Sequence, residues 1–200
     1  MKEFLSKIET LDNIRQWEER DSIIKESVSQ HSFKVSAVAV YLLKRLNDCT
    51  SLIDEEVDAD FWDNYDFFSS RVLSYAIMHD FDEAILGRDI SHKVKYNDYN
   101  GDEIRECIDN FVANKSGKFK CFVEKPSEEV KLFVKLCDWI ALYTFIVRNE
   151  NMGCKTFVSE KEYCKTNIEK KYAEVVGMLK YYFSLKDYHL DKFVKLKDIL

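Results

Sequence analysis

Two hundred residues, 46% hydrophobic and 33% charged, supply enough apolar material for a sizeable core beneath a well-solvated surface. A net charge of −6 and a pI near 5.4 argue against holding a nucleic-acid polymer through phosphate neutralisation, whereas a small phosphate ligand needs only local positive charge. One proline and five glycines are few for a chain built on turns and strands, so the composition favours an all-α fold.

No repeat, low-complexity tract or linker divides the sequence, and residues 1–200 read as a single globular domain. The opening "MKEFLSKIETLDNIR" has no apolar h-region, so no secretory signal is expected. In "IIKESVSQHSFKVSAVAVYLLKRLND", Val28, His31, Val35, Val38 and Leu42 recur at three- and four-residue steps and stack on one helical face. "SLIDEEVDADFWDNYDFFSS" is acidic and aromatic without a clean period, and reads as a long loop or short helix. Ser70 then caps the next helix, which runs through "YAIMHDFDEAIL". Gly87 opens the loop "GRDISHKVKYNDYNG", and Asp102 precedes a helix with Ile104, Cys107, Ile108 and Phe111 on its apolar side. After a second loop, "NKSGKFKCFVEKPS", Pro126-Ser127 followed by Glu128 and Glu129 makes a good helix start for "EEVKLFVKLCDWIALYTFIVRN". A long helix from about Glu160 to Phe183 and a short one in the tail complete the chain. Apolar runs such as "WIALYTFIV" are too short to span a bilayer. Cys49, Cys107, Cys121, Cys137, Cys154 and Cys164 form no C-x-x-C pair, and several fall at apolar helical positions, as in a reduced, cytoplasmic protein.

Three of these helices place polar groups where apolar ones are expected. His31 lies on the apolar face of its helix. His79 and Asp80 sit in the middle of another, with Val72, Ala76, His79 and Glu83 on one face and Glu83 one turn beyond His79. Asp138 is surrounded in sequence by Val134, Ala141, Leu142 and Phe145. Buried carboxylates need a partner or a metal. Singly, each residue is more simply a hydrogen-bonded core histidine or a half-exposed acid. Together, His31, His79, Asp80 and Asp138 make a two-nitrogen, two-carboxylate set suited to one divalent transition metal ion: Mn, Co, Fe, Zn or Ni.

This H…HD…D order over three helices resembles the HD-domain metal-dependent phosphohydrolases, and the local sequence is closest to the YfbR-like 5′-deoxynucleotidase branch. "ESVSQHSFKVSAVAVYL", "IMHDFDEAILGRDISHKVKYND" and "VKLCDWIALYTFIVRNE" are similar to that branch's first-histidine, H-D-x-x-E and final-aspartate segments. The resemblance implies a helical HD-domain fold and removal of the 5′-phosphate from deoxyribonucleoside monophosphates. It also implies metal ligation by His31, His79, Asp80 and Asp138. Glu83 matches the acid that assists the attacking water or the leaving group, and Asp89 a second acid near the phosphate. Lys95 matches the lysine of V-K-Y, and Trp17 a tryptophan that packs on the sugar and disfavours a 2′-hydroxyl.

The sequence departs from the branch in three places. Gln16 stands where an arginine directly precedes the tryptophan, with Arg15 one place earlier. Arg88 is inserted between Gly87 and Asp89, and His92-Lys93-Val94-Lys95 replaces T-P-V-K. All three fall where phosphate and sugar are expected, so Arg15, Arg88, Lys93 and Lys95 are the candidate phosphate-binding cations. Extra positive charge there would also suit a deoxynucleoside triphosphate triphosphohydrolase that purges a nucleotide pool. A non-catalytic nucleotide-binding HD protein is the reading from another class, and the full ligand set with Glu83 argues against it. By analogy with the branch, the partners are a small nucleotide and a second copy of the chain in a homodimer, with no membrane and no nucleic-acid polymer.

Overall fold

A computed structural model describes residues 1–17, 21–50, 59–90, 101–119, 126–185, 187–190, 193 and 195–200. Helices are α1 (Lys2–Asn13), α2 (Val28–Thr50), α3 (Ala59–Met78), α4 (Phe81–Leu86), α5 (Gly101–Ser116), α6 (Glu128–Asn151), α7 (Val158–Tyr182) and α8 (Asp187–Leu190). Short 3-10 turns span Gly117–Phe119 and Leu196–Asp198. Among the described residues there is no strand, only an isolated antiparallel bridge between Arg15 and Ser27. The fold is all-α, as the scarcity of glycine and proline implies.

The chain forms two compact units, Met1–Ser32 with Met78–Lys125, and Phe33–Ile77 with Pro126–Leu200. In the first, Leu11, Ile14, Val28, Phe81, Ala84 and Phe119 form a buried cluster edged by Phe4, Ile8, Met78 and Ile85. The spacing of Phe4, Ile8 and Leu11 puts them on one face of α1. Phe81 lies 6.0 Å from the Phe4 ring and 6.1 Å, edge-on, from Phe119. Burying a phenylalanine stabilises by roughly 1.5–3 kcal/mol, so this cluster fixes α4 against α1. Lys7 Nζ reinforces it by donating to the Ala84 carbonyl at 3.2 Å.

In the second unit α6 and α7 pack along each other. The Phe145–Phe157 and Trp139–Tyr163 pairs are edge-on at 5.9 and 5.6 Å. Phe68 on α3 meets Phe133 and Phe183 edge-on at 5.6 and 5.5 Å. The hydroxyl of Tyr65 donates to the Leu43 carbonyl of α2 at 2.9 Å.

Four sequence expectations are corrected. The aromatic segment is helical from Ala59, so Ser70 is internal to α3 and its hydroxyl donates to the Phe67 carbonyl instead of capping an N-terminus. The helix expected to run through His79 breaks there, α3 ending at Met78 and α4 starting at Phe81. On α5, Cys107 and Phe111 face solvent, whereas Val112 and Ser116 are buried. Ser127 is the N-cap of α6 by position, but its hydroxyl makes no cap hydrogen bond.

Candidate metal centre

The site in the first unit is built on two chain entries. Residues 14–16 pair with 26–28: Gln16 N–H donates to the Glu26 carbonyl at 2.9 Å, and Val28 N–H to the Ile14 carbonyl at 3.0 Å. Ser27 then caps α2 reciprocally with Gln30, its N–H donating to Gln30 Oε1 at 3.0 Å while Gln30 N–H donates to Ser27 Oγ at 3.3 Å. This capping box satisfies two amides that the helix start leaves open. It sets His31 on the next residue, facing inward.

The second entry is the break between α3 and α4. Asp80 (φ −107°, ψ 21°) leaves helical geometry, and the His79 and Asp80 side chains are brought together, Nε2 to Oδ2 at 3.0 Å. The His31 and His79 rings lie 5.6 Å apart, centroid to centroid. One donor atom from each of His31, His79 and Asp80 lies within 4.8 Å of the others. Neighbouring donors about 2.1 Å from one ion stand roughly 3 Å apart, and opposite ones roughly 4.2 Å. The spacing is therefore that of a metal-binding triad, needing only small side-chain shifts. The charge balance fits as well. Glu26 (3% exposed), Asp80 (6%) and Glu83 (0%) are all buried in this unit, with His31 (2%), whereas no lysine or arginine among the described residues is buried. Desolvated carboxylates need a partner or a metal, and a divalent cation among these donors is one that fits.

Glu83 lies one turn into α4 with Oε1 accepting the Ile90 N–H at 3.2 Å. Between them Gly87 takes a left-handed conformation (φ 75°), and its N–H closes α4 on the Glu83 carbonyl at 2.7 Å. Asp89 is half-buried, and its Oδ2 accepts the backbone N–H of Trp17 at 3.2 Å. Trp17 itself has φ +56°, an outlier for so bulky a side chain. Such a conformation costs about 1–3 kcal/mol, and a hydrogen bond to a carboxylate is worth roughly 1.5–3 kcal/mol, so the bond is strong enough to hold it. Arg15 and Arg88 are exposed, and Lys93 and Lys95 lie outside the described residues.

Asp138 belongs to the second unit, on α6. Its Oδ2 accepts from Lys135 Nζ at 2.6 Å, and that ammonium sits 5.1 Å from the centre of the Trp139 ring. Two residues absent from the sequence reading thus contact candidate ligands, Lys135 at Asp138 and Glu26 at His31. Lys135 was legible as an i, i+3 partner of Asp138. Glu26, whose Oε1 is 3.6 Å from His31 Nδ1, had no comparable signal, because only the 14–16/26–28 pairing turns it inward.

A family model described as 5′-deoxynucleotidase YfbR-like matches residues 3–185. The chain belongs to the YfbR-like 5′-deoxynucleotidase family. This YfbR-like protein is therefore a hydrolase of the metal-dependent phosphohydrolase class. No curated protein matches it significantly. Among solved structures it is similar to the PH0347 protein of Pyrococcus horikoshii OT3, with a TM-score of 0.63 and 19% identity over 93% of this chain and 100% of that one. It is similar to a conserved hypothetical protein of Pyrococcus furiosus, with a TM-score of 0.58 and 18% identity over 90% and 99%. It also resembles an HD-domain phosphohydrolase of Listeria innocua, with a TM-score of 0.61 and 18% identity over 100% of this chain and 89% of that one. These likenesses identify its fold as the HD-domain helical fold.

Proposed function

We propose that this YfbR-like protein hydrolyses deoxyribonucleoside 5′-monophosphates to nucleoside and phosphate. It does so as one catalytic domain, with one divalent transition metal ion held by His31, His79, Asp80 and Asp138. The observation that carries the reading is the triad of His31, His79 and Asp80, whose donor atoms lie within 4.8 Å of one another. Asp138 is the fourth ligand by the resemblance of its helix to the family's final-aspartate segment. When bound, the ion supplies Lewis acidity and makes water a competent nucleophile near neutral pH.

The remaining work belongs to the side chains. Water adds to phosphorus and the bond to the sugar's 5′-oxygen breaks. One water proton ends on that oxygen and the other stays with phosphate. Glu83 moves that proton, from a buried position one turn from Asp80. Arg15, Arg88, Lys93 and Lys95 neutralise the outer phosphate oxygens. Trp17 packs on the sugar face and leaves no room for a 2′-hydroxyl. Asp89 serves as the second acid beside the phosphate. The protein acts in the cytoplasm as a homodimer.

The exposed Arg88, next to Asp89, favours a second reading, in which a deoxynucleoside triphosphate is cleaved to nucleoside and triphosphate. Product analysis decides between them. Protein loaded with Mn²⁺ or Co²⁺ is offered each deoxynucleoside mono- and triphosphate and the matching ribonucleotides. Nucleoside and orthophosphate from deoxynucleoside monophosphates alone supports the first reading, and nucleoside with triphosphate replaces it by the second. No turnover of any nucleotide by metal-loaded protein refutes both.

A further inference from the structure

We infer that Asp89 is a positioning residue for Trp17, and through it for discrimination at the 2′-position of the sugar. The specificity half of this inference rests on the proposed sugar-packing role of Trp17. The positioning half rests on backbone geometry alone.

Trp17 follows directly on the paired residues 14–16, where the chain turns into the left-handed region at φ +56°. Its side-chain direction is set by that dihedral, because φ fixes where Cβ points relative to the preceding, anchored residues. The Trp17 N–H donates to Asp89 Oδ2. Asp89 is itself held from both sides, by the left-handed turn at Gly87 and by its neighbour Ile90, which is buried and donates to Glu83 Oε1. Two carboxylate-to-amide bonds, joined through the neighbouring residues Asp89 and Ile90, therefore link Glu83 on α4 to the backbone of Trp17. Loss of the Asp89 acceptor removes one hold on the left-handed backbone of Trp17 and favours its relaxation to negative φ, which swings the indole away. The place of Asp89 beside the phosphate affects deoxy- and ribonucleotides alike, so a change in their ratio reports its hold on Trp17 alone.

The test uses the full chain and two readouts. The first is amide hydrogen exchange at Trp17, followed by NMR on the metal-free protein. Asp89→Ala should speed that exchange about tenfold or more, the scale of a lost hydrogen bond to a charged acceptor, whereas Asp89→Asn, which keeps an acceptor oxygen, should preserve protection. The second is the ratio of kcat/KM for a deoxynucleoside monophosphate over its ribonucleotide in Mn²⁺-loaded protein. Asp89→Ala should lower the ratio about tenfold, Asp89→Asn should largely retain it, and Asp89→Ala should lower it no further in a Trp17→Ala background. Asp89→Ser, too short to reach, replaces the alanine variant if that one does not fold. Unchanged Trp17 protection in Asp89→Ala overturns the positioning role. Lost protection with an unchanged ratio, when Trp17→Ala alone relaxes it, overturns the specificity role while the sugar-packing reading stands. A ratio that Trp17→Ala does not move refutes the sugar-packing reading and the specificity role with it, and the exchange result then judges the positioning role by itself.

Discussion

Replacing Glu83 separates two tasks that one carboxylate performs. It is wholly buried, its Oε1 accepts the Ile90 N–H at 3.2 Å, and it is the proposed proton carrier. Glutamine has the same shape, so its amide oxygen continues to accept from Ile90, but it has no proton to exchange at neutral pH. Alanine removes both functions. General acid–base assistance is worth about 10²–10⁴ in rate, or roughly 2.7–5.4 kcal/mol of barrier at about 1.36 kcal/mol per decade. Stranding a buried amide costs about 1–3 kcal/mol of stability, which in a chain of this length moves the melting temperature by roughly 2–12 °C. Glu83→Gln should therefore lose two to four decades of kcat, keep its metal and melt close to the parent. Glu83→Ala should lose the same activity and melt lower as well. Phosphate release, metal content by mass spectrometry and thermal melts measure the three quantities. A glutamine variant that carries its metal and turns over at the parent rate refutes the proton role, and an alanine variant that melts with the parent refutes the structural one.

His79→Ala and Asp138→Ala should each lose metal and activity together, checked by metal content after gel filtration; retention of full metal by either removes that residue from the ligand set. Burial, with a smaller contribution from the negative charge of Asp138, pushes the Cys164 thiol from an ordinary 9.0 to about 12 and raises Cys137 for the same reasons. At pH 8 only about one Cys164 in 10⁴ is thiolate, so iodoacetamide followed by peptide mapping should label the exposed Cys107 well before the buried Cys164 and Cys137. Because both shifts are upward, stability is complete below about pH 9 and falls as pH rises toward 12, by roughly 1.4 kcal/mol per unit for each thiol; pH-dependent melts check the direction.

Much of this was legible in the chain and some was not, for identifiable reasons. The helical class followed from the shortage of turn residues, and the inward His31 from a three- and four-residue repeat behind Ser27-x-x-Gln30, a capping box that the structure forms. The break at His79–Asp80 was missed because the apolar period runs on through it without glycine or proline. Asp80 followed three residues later by Glu83 was the available sign, since an aspartate before an acidic first turn is an N-cap pattern. On α5 the period was right and the face wrong. Ile104 and Ile108 lead on to the buried Val112 and Ser116, whereas Phe111 looks core-like by type and is 47% exposed. Hydrophobicity alone cannot choose between two adjacent faces when a large aromatic sits on the solvent side. The resemblance marks Asp89 as an acid of the site, but its bond to the Trp17 amide joins residues 72 apart and has no sequence signature.

The short stretch from His79 to Asp89 is dense in ionisable groups. His79 and Asp80 meet at the break between α3 and α4, Nε2 to Oδ2 at 3.0 Å, while the packed Phe81 holds the backbone. Burying Asp80, Glu83 and Glu26 in one unit concentrates negative charge in a weakly screened interior. A divalent cation bound among these groups would stabilise the folded state. A divalent ion at about 100 times its dissociation constant adds roughly 2.7 kcal/mol to a folded state that alone binds it, raising the melting temperature by roughly 5–11 °C. Treatment with a chelator should lower the melting point by that amount, and Mn²⁺ or Co²⁺ should restore it together with activity. The His31→Ala protein, having lost one donor, should melt at the same temperature with or without added metal. If the parent melts identically in chelator and in excess Mn²⁺ or Co²⁺, the buried carboxylates are compensated from within the protein, and the metal reading of the centre fails.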